Sequence, residues 1–259
     1  MLLNVTHGTT SILPLLVLDF DGTVCVGDAP VWAYAEAVIA GILDRDDIAG
    51  RELDAGLRAR LGAFLDGEPG SPAYADGYAA VAELAAGHAD EELLQRAYQR
   101  SRRELAGGRL DVSAPEGLAD FLDGLAGTAE RVLVTNAPLD GVTETLDALG
   151  LAGSIDRVHA EARKPAGWAD LLPRLLDGRD PRTLLSVGDI WGNDLAGPLA
   201  AGCATALIDR FGHRAGPAHL VAPTFPELYP GIADWAEDPI AFALAHPIDH
   251  MAPSPIASA

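Results

Sequence analysis

The chain has 259 residues, 49% hydrophobic and 22% charged, so it is globular and long enough for one large domain or two unequal ones. Acids outnumber bases 38 to 18, a net charge of −20, which argues against nucleic acid or an anionic membrane as a partner. An anionic ligand would need a local positive site against that field.

Residues 1–10 carry no basic side chain, and the apolar stretch 12–18 is short and interrupted by Pro14. Neither a signal peptide nor a transmembrane helix is expected. Leu15-Leu16-Val17-Leu18 then reads as a buried strand, ending in Asp19-Phe20-Asp21-Gly22-Thr23. By itself that ending is either a polar turn or a ligand site. Two acids so close repel each other unless something positive, such as a divalent metal, lies beside them.

After an irregular piece, 24–29, the pattern turns helical. Over 30–43, Val31, Tyr34, Val38 and Ile42 fall at helical spacing, with Pro30 suited to the helix start. Residues 46–65 continue with Leu53, Leu57, Leu61 and Phe64. A Gly/Pro loop at 66–71 precedes two further predicted helices, 72–86 and 90–105, the second closed by Gly107-Gly108. No strand-like alternation occurs between about residues 29 and 108, so this stretch reads as an inserted bundle of about four helices. Arg96, Arg100, Arg102 and Arg103 read as a solvated helix face in preference to a binding patch.

From residue 115 helix and strand alternate. Helices are predicted over 115–125, 139–149, 165–176 and 193–201, and strands over 131–135, 155–159, 183–187, 204–208 and 219–222. The tail offers helices near 232–236 and 240–245 and a Pro/Ser/Ala end expected to fray. This order predicts an α/β fold, a Rossmann-like doubly wound parallel sheet with an inserted all-helical cap. The core is 1–24 with 109–238, the cap 25–108 and the tail 239–259. Residues 24–29 and 107–115 would be the hinges.

In such a sheet, ligands bind beyond the carboxyl ends of the strands. Those ends carry Asp19 and Asp21, Thr135 and Asn136, and Asp189 with Asp194 nearby, while Lys164 precedes a helix. The set holds a candidate carboxylate nucleophile, a second acid, a hydroxyl, a cation and oxygen ligands for a hard metal such as Mg²⁺. Lys164 is the only lysine against seventeen arginines, and a compact ammonium is not interchangeable with a guanidinium at a tight phosphate site. Thr135 could instead cap the following helix, though the phosphate role is preferred, and Asp194 could be a first-turn acid favoured by the helix dipole. Cys25 and Trp32, near the cap entrance, read as packing. Two cysteines give no disulfide framework, which fits a reducing, cytoplasmic setting.

The chain resembles the haloacid dehalogenase superfamily, in the branch with a helical cap after the first strand. Asp19-Phe20-Asp21-Gly22-Thr23 matches its first motif, Thr135 at the end of Val-Leu-Val-Thr its second, Arg163-Lys164-Pro165 its lysine motif, and Gly188-Asp189 with Asp194 its fourth. The four occur in the family's order over residues 15–202. Arg163 replaces the usual glycine. The resemblance implies Asp19 as nucleophile, Asp21 as general acid and base, and Thr135, Asn136 and Lys164 around the phosphoryl group. It implies Mg²⁺ on Asp19, Asp189 and the backbone carbonyl of Asp21, with Asp194 behind the ligands or holding Lys164. The implied activity is Mg²⁺-dependent hydrolysis of a small phosphorylated metabolite through an aspartyl-phosphate. A phosphomutase shares the core motifs. A metal-independent haloacid dehalogenase would not need Asp21, and a non-catalytic phospho-ligand module would not need the full acid–base set.

Overall fold

The computed structural model describes residues 13–45 and 47–248. The expectations for residues 1–10 and for the end of the tail lie outside them. β1 (Leu15–Leu18) is wholly buried and lies mid-sheet, paired in parallel with β2 (Glu130–Val134) and with β4 (Leu184–Gly188). β3 (Arg157–His159), β5 (Ala204–Ile208) and β6 (Leu220–Ala222) complete a parallel sheet of order β3-β2-β1-β4-β5-β6. The fold class expected from the alternation of elements is therefore present.

Alternation along β1 divides the core between the two faces of the sheet. Leu16 and Leu18 pack in one cluster with Leu118 and Leu122 of α5 (Leu118–Gly124), Val142 and Leu146 of α6 (Leu139–Ala148), and Trp235 of α9 (Tyr229–Glu237). Leu15 and Val17 pack on the other face with Trp168, Leu172 and Leu175 of α7 (Trp168–Leu176). α8 (Ala196–Ala200) links β4 to β5, and α10 (Pro239–Ala245) adds Phe242 to the first cluster. The described part of the tail is thus docked on the core, where the sequence boundary at 238 sets it apart.

α1 (Ala29–Leu43), α2 (Asp47–Leu65), α3 (Gly77–Leu84) and α4 (Glu91–Ala106) form a separate bundle with its own apolar cluster, including Tyr34, Val38, Leu57, Leu61, Phe64 and Val81. The two chain segments leading into and out of the bundle pair with each other. Val26 donates to the Ser113 carbonyl at 2.8 Å and Ser113 donates back at 2.9 Å.

Several helices start later than their periodicity predicts, because capping and turn geometry decide where a helix begins. α3 starts at Gly77, not near 72, since the Asp76 carboxylate caps it by accepting from Ala79 N–H at 2.6 Å. α5 begins after Gly117, which sits at φ 69°, and α7 at Trp168 after a turn. The predicted helix over 193–201 is a π turn, Trp191–Leu195, followed by the short α8.

Candidate active site

The loop after β1 turns sharply. The Phe20 carbonyl accepts from Val24 and Cys25 at 3.0 and 2.9 Å, and Gly22 donates to Cys25 at 2.9 Å. Gly22 has φ 79°, and a Cβ there would lie 2.2 Å from Asp189 Oδ2. Glycine is required twice over, by its backbone conformation and because Asp189 occupies the space a side chain would take.

Lys164 reaches this point from the segment after β3. Its Nζ donates to Asp19 Oδ1 at 2.6 Å and to Asp194 Oδ1 at 2.7 Å, and the ammonium and both carboxylates are buried. The loop that delivers it is held by Asn136. That side chain accepts from Lys164 N–H at 2.6 Å and donates to the Lys164 carbonyl at 2.9 Å. Asn136, expected on the phosphoryl group, instead has its amide engaged with the lysine loop, because a buried backbone pair needs partners. Arg163, where the resemblance expects glycine, has φ 54°, a left-handed backbone that glycine adopts without strain.

Thr135 is buried at the end of β2, and its Oγ1 accepts from Ala137 N–H at 3.0 Å. It does not cap the following helix, whose N-cap is Pro138, and its hydroxyl hydrogen remains for a ligand. Asp194 is held by Lys164 and by the Ile190 N–H, which donates to Oδ2 at 3.0 Å. Asp194 is buried in the first turn of the π segment, where it is also bonded to Lys164.

Carboxylate oxygens of Asp19, Asp189 and Asp194 lie within 4.8 Å of one another. Burial raises the Asp19 carboxyl to about 7, with Lys164 opposing and Asp194 adding to the rise. Burial and the charges of Asp19 and Asp194 push Asp189 well above the usual carboxylate range. Burial pulls the Lys164 ammonium down, but the two carboxylates outweigh it and hold the lysine protonated. One ammonium thus bonds two of three clustered acids, and the Oδ1 atom of the third, Asp189, is buried without a hydrogen-bond partner. A hard divalent cation is the group that would satisfy such an atom, and the oxygen donors of Asp19 and Asp189 suit Mg²⁺. The Asp21 side chain is not part of this trio.

Asp21 is bound instead by the cap. Arg102 of α4 donates from Nη1 to Asp21 Oδ1 at 2.7 Å, with the guanidinium side chain 5% exposed and lying 5.7 Å from the centre of the Phe20 ring. The reading of Arg102 as part of a solvated face is therefore overturned. The signal lay in the helix period: Arg102 falls four residues after Tyr98 and three before Leu105, on the buried side with Leu93 and Ala97. Cys25 is buried in the core cluster, its thiol pushed by burial to about 12, and Trp32 packs against the cap cluster. Packing is the role expected of both.

A cleft of about 1130 Å³ separates bundle and sheet above these residues. The chain superposes on a Bacillus subtilis protein described as a HAD-hydrolase bound to magnesium, with TM-score 0.53 and 17% identity over 84% of this chain and 97% of that one. The chain has the fold of the haloacid dehalogenase (HAD)-like hydrolases. A HAD phosphatase from Thermococcus onnurineus superposes with TM-score 0.52 and 20% identity, over 85% of this chain and 98% of that one. An L-2-haloacid dehalogenase does so with TM-score 0.52 and 18% identity, over 85% and 99%. No protein-family model matches the sequence, and no curated protein matches it. Among the described residues, no helix of this HAD-like chain is long and apolar enough to cross a membrane.

Proposed function

We propose that the protein is a Mg²⁺-dependent phosphomonoester hydrolase that works through an aspartyl-phosphate on Asp19. The observation that carries this reading is Asp189 Oδ1, a buried, unpartnered oxygen beside two further carboxylates. Dehalogenation of the metal-independent kind has no use for such an atom. Asp21 supports the same reading, since it supplies an acid where the leaving oxygen needs a proton.

Asp19 and Asp189 would hold the metal, with the backbone carbonyl of Asp21, and the ion would supply positive charge against the phosphoryl oxygens. Lys164 steadies the Asp19 carboxylate at 2.6 Å and offers its charge to the same oxygens. Asp19 attacks phosphorus as the bond to the ester oxygen breaks, and Asp21 gives that oxygen its proton. Asp21 then takes a proton from water as the water attacks phosphorus and releases Asp19. Thr135 donates its hydroxyl hydrogen to a phosphoryl oxygen. The inserted bundle acts as a lid over the cleft, closing on segments 24–29 and 107–115. A cytoplasmic setting fits Cys25 and Cys203, both free and buried.

The test is turnover of a panel of phosphate monoesters with and without Mg²⁺, with Asp19→Asn as control. Metal-dependent phosphate release that D19N abolishes is the expected result. Chloride release from a 2-haloacid in the presence of chelator would overturn it.

A further inference from the structure

The cleft also bears on which ester it takes, an inference that rests on the hydrolase reading above. Its inventory of charge is one-sided. Asp19, Asp21, Asp189 and Asp194 line it, and so do Asp28, Asp76, Glu116 and Asp209. Among the described residues, the lysine and arginine lining it are Lys164 and Arg210 alone. Lys164 is held by Asp19 and Asp194 at the phosphoryl end. Arg210 is held by Asp28: its Nη1 and Nη2 donate to the two Asp28 carboxylate oxygens at 2.7 and 2.8 Å, and Nη2 also donates to the Leu65 carbonyl at 3.0 Å. Both of these cations are already in ion pairs, and the chain's net charge of −20 works against a second anionic group on the substrate from a distance.

The cleft is also lined by rings. Tyr74, Tyr78 and Tyr98 come from the bundle, and Trp191, Phe211 and Phe225 from loops after the strands. Tyr78 stacks edge-on to Tyr98 with ring centres 5.6 Å apart, and Phe211 lies 4.7 Å from Phe64, so these rings are fixed by packing before any ligand arrives. Pre-set aromatic walls in a cleft of about 1130 Å³ favour a flat, ring-bearing group and are larger than a two- or three-carbon phosphate requires.

We propose that the substrate is a phosphate monoester whose alcohol portion carries a ring and no second anionic group, and that the Asp28–Arg210 pair enforces the second condition. Asp28 removes from the cleft the cation that would otherwise accept a carboxylate or a second phosphate.

A matched pair of probes tests this in the Mg²⁺-loaded full chain: benzyl phosphate and 4-carboxybenzyl phosphate, which differ by one carboxylate. The expected result is a kcat/KM at least about tenfold higher for the uncharged probe, of the order that one unpaired charge in a cleft supplies. Asp28→Asn frees Arg210 and is expected to narrow that ratio at least threefold. A general loss of folded protein lowers both probes in parallel and leaves the ratio unmoved. Equal kcat/KM values, or preference for the carboxylated probe, overturn the proposal. Binding of benzylphosphonate and 4-carboxybenzylphosphonate by calorimetry separates this from the hydrolase reading. If neither ester turns over yet the uncharged phosphonate binds about tenfold tighter, the hydrolase reading fails and the selectivity of the cleft stands. If the two phosphonates bind alike, or neither binds, the selectivity fails whatever the turnover.

Discussion

Arg102 and Asp21 join the bundle to the sheet: a buried guanidinium on α4 lies 2.7 Å from the carboxylate that follows β1 by three residues. Burial works against the Arg102 charge, and Asp21, with Tyr78 and Tyr98, more than offsets it. The pair makes the direction of the Asp21 carboxylate depend on where the bundle sits. Arg102→Met is expected to lower kcat by about tenfold to a hundredfold, within the range of general acid–base catalysis, with a smaller change in KM. In a double-mutant cycle with Asp21→Asn the losses should be less than additive. Wild-type kcat in R102M would show that the pair is structural only.

Lys164 sits between Asp19 and Asp194 at 2.6 and 2.7 Å, a gap that fits a point charge and not a planar fork. Lys164→Arg should therefore abolish turnover as fully as Lys164→Met. Removing the buried cation leaves two carboxylates uncompensated, and K164M is expected to cost about 3–5 kcal/mol of stability in denaturant unfolding. An active K164R enzyme would contradict this geometry.

Asp189 Oδ1 gives metal binding a thermal signature. Mg²⁺ at a hundredfold over its dissociation constant should stabilise the folded protein by about 2.7 kcal/mol, read as a rise in Tm. Asp189→Asn should remove most of that rise. Gly22→Ala should do the same, because its Cβ would press on Asp189 Oδ2. G22A should also lower Tm without metal, by strain of about 1–3 kcal/mol. A G22A protein with normal Tm and normal metal response would show that the loop yields freely.

Acid sensitivity should come in part from the far end of β2. Arg131, largely buried, donates from Nε and Nη2 to the two Asp156 carboxylate oxygens at 2.8 and 2.6 Å, and these bonds hold the Asp156 carboxyl below its usual range. A carboxyl lowered by folding stabilises the folded state above its unfolded value, about 3.9, and that contribution fades as pH falls through the folded value. Asp156 is partly exposed, so the effect is modest, about 1 kcal/mol or less. Tm of the wild type should fall more steeply than that of Asp156→Asn below pH 4. Parallel curves would assign the acid loss elsewhere.

Local pattern was enough to read the sheet strands, the inserted bundle and the acids that gather at the sheet edge. Apolar runs ending in Asp19, Thr135 and Asp189 are strand ends, and a parallel sheet brings its strand ends to one edge. The single lysine marked itself by composition. Helix starts were less legible, since Asp76 and Gly117 act through capping and backbone angle, which hydrophobic period does not record.

The opening motif, Asp19-Phe20-Asp21-Gly22-Thr23, determined by itself that two acids would share a turn after a buried strand. Tertiary structure decided their surroundings. Asp19 meets Lys164, 145 residues away, while Asp21 meets Arg102, 81 residues away, from a different layer of the molecule. It also decided that Asn136 serves the lysine loop and that Arg210 is taken up by Asp28. The physical reason is range. Periodicity and turn chemistry act over a few residues and are written locally, whereas a charge chooses its partner by distance in space. That distance exists only once the bundle has closed over the sheet.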